Sequence, residues 1–216
     1  MTGPPEDPLA EGIFSLEVRW ILPGSLDLAM AEWFAAFPSE AESREDGYIH
    51  HPDMAGLSVK VRGGQALQVK AFGGSPGILR FRGRVCGRMQ YWRKWSFPFR
   101  LTGPAGGDPD GWKVVRKQRR ASRFSLSHGR IAVSAPGRAG EPQCVVELTE
   151  IRAQDQDWWS LGLEATGPRD RLRPVLEATA AVVFARPLPP GVDLRLQDSL
   201  SYAEWLRQPL CITPRG

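Results

Sequence analysis

The chain has 216 residues, a formal net charge of +4, three cysteines and three histidines. The length suits one sizeable domain, and no stretch approaches the roughly 20 apolar residues of a membrane-crossing helix, so we expect no membrane contact. Widely spaced cysteines argue against a disulfide framework and, with so few histidines, against a zinc site. The first residues lack the features of a secretory signal, and we expect a cytoplasmic protein.

The N-terminal part predicts a short leader, a strand and a helix. Residues 1–11 are acidic and Pro-rich, which is typical of a disordered leader. A strand then runs to about Leu22, and a helix from Ser25 to about Phe37 shows apolar residues at helical spacing before Pro38 ends it. The acidic residues 40–46 are expected to form a solvated loop.

From residue 47 to residue 165 the sequence predicts strands joined by turns. Gly63 and Gly64 separate two short alternating runs, which indicates a tight hairpin. The period changes to a helical one near Leu172, and residues 201–206 predict a closing helix. The fold class is therefore α+β, with an antiparallel, tunnel-like β-barrel and flanking helices. We expect one domain over residues 12–210 and a tail over residues 211–216.

Charged residues fall on alternate positions of several predicted strands. Glu17 and Arg19 share one strand face, and Leu16 and Val18 share the other. Such a face either meets water or lines an enclosed, charged site. The basic residues are 23 arginines and five lysines, and the arginine fork matches phosphate oxygens two at a time. A bias in nucleotide composition is the alternative explanation of the arginine total, but it does not explain the spacing.

The order of these motifs resembles the CYTH superfamily, also called triphosphate tunnel metalloenzymes, which includes class IV adenylate cyclases and thiamine triphosphatases. The family opens with Glu-x-Glu-x-Lys, and residues 15–19 here read Ser-Leu-Glu-Val-Arg. Its later Lys-x-Arg is similar to residues 117–119, and its paired acidic strands are similar to residues 147–149 and 162–164. Each acidic pair has lost one member here, to Ser15, Thr149 and Gly162.

The resemblance implies a phosphate cradle and a magnesium site. The expected phosphate-binding residues are Arg19, Lys60, Arg62, Lys70, Arg93, Lys117 and Arg119. The expected catalytic and metal-ligating residues are Glu17, Glu147 and Glu164, which would hold Mg²⁺, one ion rather than two. The alternative for these carboxylates is salt bridging to the same cations.

The predicted function is binding and hydrolysis of a di- or triphosphate compound inside a basic barrel. If the protein is an enzyme, a Mg²⁺-dependent triphosphate hydrolase is expected. One alternative is a non-catalytic phosphate-binding module, and another is a lyase or cyclase acting on a phosphorylated apolar substrate. A small phosphorylated molecule is the expected partner. Residues 91–95 interleave basic and aromatic side chains, but the small excess of charge argues against nucleic acid. The sequence does not set the oligomeric state.

Overall fold

The computed structural model describes residues 12–49, 51, 53–54, 56–81, 83–98, 112–127, 130–133 and 141–208. The predicted leader and tail lie outside these residues, so the domain boundaries stay a prediction. Two cysteines that the structure describes, Cys86 and Cys144, are free thiols. No helix in the described part of the chain combines the length and apolar character needed to span a bilayer.

Ten strands and three α-helices make up the described fold. The strands are β1 (Ile13–Pro23), β2 (Glu40–Ile49), β3 (Leu57–Arg62), β4 (Ala66–Phe72), β5 (Gly77–Phe81), β6 (Val85–Pro98), β7 (Trp112–Ser127), β8 (Arg130–Val133), β9 (Gln143–Ala153) and β10 (Gln156–Thr166). The helices are α1 (Leu28–Ala35), α2 (Leu172–Val183) and α3 (Tyr202–Trp205).

Eight of the strands close into an antiparallel barrel. Their order is β1-β10-β9-β7-β2-β3-β4-β6, and β6 pairs again with β1 to complete the ring. Among the described strands, β5 pairs only with β6, and β8 pairs only with β7. The predicted α+β fold with a tunnel-like barrel is confirmed.

The turn between β3 and β4 also confirms its prediction. Gly63 and Gly64 have φ angles of 53° and 69°, a left-handed conformation that favours glycine. Together with Gln65 they connect Arg62 to Ala66 at the start of β4, and the amide of Gln65 donates to the carbonyl of Arg62 at 3.0 Å. This tight connection sets the register that places Lys60 opposite Gln68.

Two local predictions need correction. The segment expected as a solvated acidic loop is strand β2, which pairs with β3 and β7. Its acidic residues stay in a strand because charged neighbours on the barrel wall pair with them. The first helix begins at Leu28 and not near Ser25, since the side chain of Asp27 accepts a hydrogen bond from the amide of Ala29 at 2.7 Å and caps the helix.

The main hydrophobic core lies outside the barrel wall, under the helices. Leu16, Val18 and Trp20 project from the outer face of β1 and are fully or almost fully buried. They pack in one cluster with apolar residues of α1 and α2. Because the outer face of this wall supplies the core, the alternate residues of the same strands face the lumen.

A second apolar cluster fills one end of the lumen. Ile21, Val115, Ile151 and Trp158 project inward at that end and pack against Trp205 of α3. Ser201 caps α3, accepting from the amide of Glu204, whose side chain accepts in return from the amide of Ser201. This reciprocal cap fixes the short helix across the end of the barrel.

Candidate functional site in the barrel lumen

The structure brings six of the seven predicted phosphate-binding residues to the lumen. Each of the six forms an ion pair with a carboxylate on a strand other than its own. They are Arg19, Lys60, Arg62, Lys70, Lys117 and Arg119. The alternation of the sequence therefore corresponds to an inner, charged wall and an outer, apolar one.

Arg93 is the predicted residue that the structure does not bring to this site. It pairs with Phe14 on β1 and with Ala71 on β4, and both belong to the outer face. Its guanidinium carbon lies 5.1 Å from the ring centre of Phe14 and 5.2 Å from that of Trp95. The neighbouring Lys94 lies opposite Lys70 and on the lumen side instead.

A first group of lumen side chains, the glutamate cluster, consists of Glu147, Arg19 and Arg119. One oxygen of Glu147 forms a close ion pair with Nη2 of Arg19. The other oxygen accepts from Nε of Arg119 at 2.6 Å. Both carboxylate oxygens are thus bound by guanidinium groups, and the side chain of Glu147 is only 10% exposed.

Glu17 and Glu164 form a second group, the lysine bridge, around Lys70. The two glutamates lie directly opposite each other on β1 and β10. The ammonium group of Lys70 forms a close ion pair with Glu17 and donates to Oε1 of Glu164 at 3.3 Å. The hydroxyl of Ser15 donates to Oε1 of Glu17 at 2.8 Å, and this is the same oxygen that pairs with Lys70.

A third group, the aspartate cluster, places three cations around Asp46. The ammonium groups of Lys60 and Lys117 both lie 3.1 Å from Oδ2, and Nε of Arg44 lies 3.2 Å from Oδ1. Asp46 is completely buried. Lys117 also donates to the hydroxyl of Tyr48 at 2.6 Å.

Tyr202 of α3 extends this cluster toward the closed end. The ammonium group of Lys117 lies 3.7 Å from the centre of the Tyr202 ring, and the guanidinium carbon of Arg19 lies 5.0 Å from it. The ring also stacks on Tyr48 with centres 5.7 Å apart. Such faces attract cations, so the tyrosines stabilise charge at a place that water reaches poorly.

Glu42 joins the glutamate and aspartate clusters into one network. Its carboxylate accepts from Arg44 at 2.6 Å and from Arg62 at 3.1 Å, and it lies 3.5 Å from Arg119. Six cations are connected in this way through three carboxylates. The cations are Arg19, Arg44, Lys60, Arg62, Lys117 and Arg119, and the carboxylates are Glu42, Asp46 and Glu147.

In the glutamate cluster and the lysine bridge, Arg19, Glu147, Lys70 and Glu164 hold their charges firmly. Burial alone would lower the pKa of Arg19 and raise that of Glu147, but their mutual attraction outweighs it and moves both pKa values the opposite way. The pKa of Lys70 is raised in spite of burial because Glu164 and Glu17 face it. Although burial acts to raise it, the pKa of Glu164 is lowered to about 2 by Lys70 and Lys94.

The aspartate cluster behaves differently. Burial, opposed by Asp46 and assisted by Arg44, lowers the pKa of Lys117 to about 7. Burial and the nearby charge of Lys117 lower the pKa of Lys60 well below its ordinary value. The pKa of Asp46 is itself lowered, since its three cations outweigh the effect of burial. Because one carboxylate cannot compensate three buried cations, the pKa values of both lysines are lowered.

The predicted metal ligands do not form a ready divalent-ion site. Both oxygens of Glu147 are bound by guanidinium groups, while Glu17 and Glu164 share one ammonium group. Within the described residues, no group of three His, Cys, Asp or Glu side chains is placed to hold a metal ion. A divalent ion would have to displace Arg19 or Lys70, so this donor set does not fit Mg²⁺ as arranged. The magnesium assignment stays a prediction.

A cavity of about 60 Å³ lies between Lys60, Lys70, Arg19 and Tyr202. This volume corresponds to about two water molecules, so a phosphate ester enters only as ion pairs of the lumen open. A larger groove of about 570 Å³ lies outside the wall. There Arg116 pairs with Glu45 at 3.0 Å and Arg152 with Asp157 at 2.9 Å. Because these charges balance on an exposed surface, the lumen is the better candidate site.

The lumen also contains residues that sequence reasoning missed. Glu42, Arg44 and Asp46 alternate along β2, and the period of two was available to find them. Glu45 obscured it because it places a charge on the opposite face of the strand. Tyr202 carries no such signal, since its position depends on where α3 packs.

Comparisons with known proteins give no family assignment. No family model matches the chain, and no curated protein matches it. Among solved structures, a conserved hypothetical protein from Pyrococcus furiosus is 14% identical with a TM-score of 0.44, covering 88% of this chain and 98% of that one. The S. pombe Pct1 RNA triphosphatase, in complex with the Spt5 CTD, is 10% identical with a TM-score of 0.41, covering 82% of this chain and 81% of that one.

A third similar structure is the PH1819 protein from Pyrococcus horikoshii OT3. It is 14% identical with a TM-score of 0.41, and the match covers 89% of this chain and 97% of that one. At such identities and TM-scores these similarities add nothing to the strand pairing, which defines the barrel by itself.

Proposed function

We propose that the protein binds a di- or triphosphate compound in the barrel lumen. The observation that carries this proposal is the connected network of six cations and three carboxylates inside a closed barrel. Buried cations without a counter-charge cost several kcal/mol each. A ligand with several negative oxygens compensates that excess.

Arginine makes the network suitable for phosphate in particular. Four of the six cations are guanidinium groups, whose planar donors match two phosphate oxygens at once. The side chains of Arg62 and Arg119 are 39% and 16% exposed, so they are the most accessible of the predicted residues in the network. We propose that these two arginines meet the ligand first and that Arg19, Lys60 and Lys117 hold it deeper in the lumen.

Binding is tested by calorimetric titration with inorganic tripolyphosphate at low salt. Arg62→Ala is the first variant, because Arg62 and its partner Glu42 are both partly exposed and the change leaves no fully buried charge. A charge-assisted hydrogen bond contributes about 1.5–3 kcal/mol, so the affinity should fall about 10-fold or more.

Arg152→Ala is the matched control, because Arg152 is 48% exposed on the outer wall and pairs there with Asp157. Its affinity for tripolyphosphate should stay unchanged. Equal losses in the two variants would indicate non-specific attraction to a basic protein and would contradict a lumen site.

Hydrolysis of the bound compound is the enzymatic form of this proposal, with Glu17, Glu147 and Glu164 as catalytic residues. The resemblance of the motifs supports it. The engagement of all three carboxylates by Arg or Lys supports the non-catalytic module instead. Phosphate release from nucleoside and thiamine triphosphates with Mg²⁺ or Mn²⁺ separates the two, because binding without turnover favours the module. Product analysis that reveals a new carbon skeleton would favour a lyase or cyclase.

A further inference from the structure

The guanidinium group of Arg19 lies directly against the backbone of Gly162. A Cβ atom at position 162 would be 2.8 Å from Cζ and Nη1 of Arg19 and 2.9 Å from Nη2. Real side chains do not tolerate such contacts, so any other residue at this position forces Arg19 to move. The absence of a side chain at Gly162 therefore creates the space that Arg19 fills.

The strand register explains why Arg19 takes this path. Gly162 on β10 lies opposite Arg19 on β1 and opposite Glu147 on β9. The guanidinium group crosses β10 above Gly162 to reach Glu147, and Nη1 lies 3.5 Å from the hydroxyl of Ser160 on the same strand. Arg19 is only 8% exposed, so a fixed positive charge is held in the wall between the two strands.

We propose that the lumen binds its phosphate compound without a divalent cation, and that Arg19 supplies there the positive charge expected of a metal ion. This inference rests on the proposed phosphate-binding function. It assigns Gly162 as a positioning residue, since the glycine admits the guanidinium group between β1 and β9. A buried guanidinium group keeps its charge across the working pH range, as a metal ion does.

The partners of Arg19 favour this arrangement over metal binding. Glu147 lies directly opposite Gly162 on β9, and it binds Arg19 and Arg119 with its two oxygens. A divalent ion at Glu147 would leave both guanidinium groups without this partner inside the wall, which is costly. Mg²⁺ in solution also binds polyphosphate and reduces its charge, so it competes with the network for the ligand.

The decisive experiment is titration of the full chain with inorganic tripolyphosphate, once with EDTA and once with excess Mg²⁺. The inference predicts binding in EDTA that is as tight as, or tighter than, binding with Mg²⁺. Binding that appears only with Mg²⁺ would overturn the inference and leave the proposed function standing. No binding under either condition would overturn both.

Gly162→Ala tests the role of the space directly. The new methyl group displaces Arg19, and the affinity in EDTA should fall about 10-fold, as for the loss of one charge-assisted hydrogen bond. Gly56→Ala is the control, because a Cβ at that position would meet its nearest atom at an ordinary 3.9 Å. Equal affinity of the two variants would contradict the role of Gly162.

Arg19→Gln provides a second readout if Gly162→Ala does not fold. Glutamine keeps a polar side chain but removes the permanent positive charge that Arg19 is proposed to supply. Affinity in EDTA should fall, and the ratio of affinities with and without Mg²⁺ should shift toward Mg²⁺, which a merely structural change would not cause. An unchanged ratio would contradict the proposal that Arg19 supplies the charge expected of a metal ion.

Discussion

Glu147 and Asp46 are buried carboxylates in the same lumen, yet their surroundings differ in the kind of cation. Glu147 on β9 binds two guanidinium groups. Asp46 on β2 binds two ammonium groups and one guanidinium group. Arginine does not give up its proton in proteins, whereas a buried lysine does. One wall of the lumen therefore holds permanent charge, and the other holds charge that depends on pH.

The comparison predicts that loss of Glu147 is the more damaging change. Glu147→Gln leaves Arg19 and Arg119 charged and buried, so the free energy of unfolding should fall by about 3–5 kcal/mol. Urea denaturation measures it. Glu177→Gln is the control, because Glu177 is 42% exposed and pairs with Arg173 on the surface of α2, where a much smaller loss is expected. Similar losses in both variants would contradict the importance of burial.

Asp46→Asn should have a smaller effect, about 1–3 kcal/mol near neutral pH, since Lys60 and Lys117 can release protons and reduce the repulsion. The loss should become smaller still at about pH 9.5. As the pH approaches the pKa of lysine in the unfolded chain, keeping a buried lysine deprotonated costs less free energy of folding. Urea denaturation at both pH values tests this. A loss that equals or exceeds that of Glu147→Gln at both pH values would refute the distinction between the two walls.

The pH dependence of the unmodified protein gives the smallest effect. Burial and neighbouring charges set the pKa of Lys117 at about 7. Between that pH and the ordinary lysine pKa, the unfolded chain binds more protons than the folded one, so the free energy of unfolding rises with pH. From about pH 7 to about pH 8 the contribution is on the order of 1 kcal/mol.

Comparison with Lys117→Met isolates this contribution. The variant lacks the titrating group, and its stability should rise less with pH than that of the unmodified protein. Denaturation curves that run parallel over this range would show that Lys117 keeps its proton in the folded state.

The sequence predicted the barrel and the alternation of charge because a period of two is visible within a single strand. Arg19, Lys60 and Lys117 each follow that period, and the structure places all three on the inner face. The assignment of Arg93 in place of Lys94 shows the limit of this reasoning. Adjacent residues point to opposite faces, so an error of one residue in register reverses the assignment.

The carboxylate partners were harder to predict from sequence. Asp46 meets Lys117 across a strand pair separated by 71 residues, and the motif order gave no sign of this contact. The sequence showed Gly162 as the replacement of an acidic residue. Its structural role, to leave space for the guanidinium group of Arg19, depends on the path of Arg19 across β10. Such contacts depend on barrel closure and on side-chain reach, which local patterns do not contain.

The position of α3 has a consequence for the shape of any ligand. Trp205 and its apolar neighbours fill one end of the barrel, which makes the lumen a blind pocket with respect to that end. A phosphorylated polymer cannot be threaded through such a pocket. Such a polymer can insert only a terminus, so the proposed phosphate site would accept chain ends and small molecules but not the interior of a long strand.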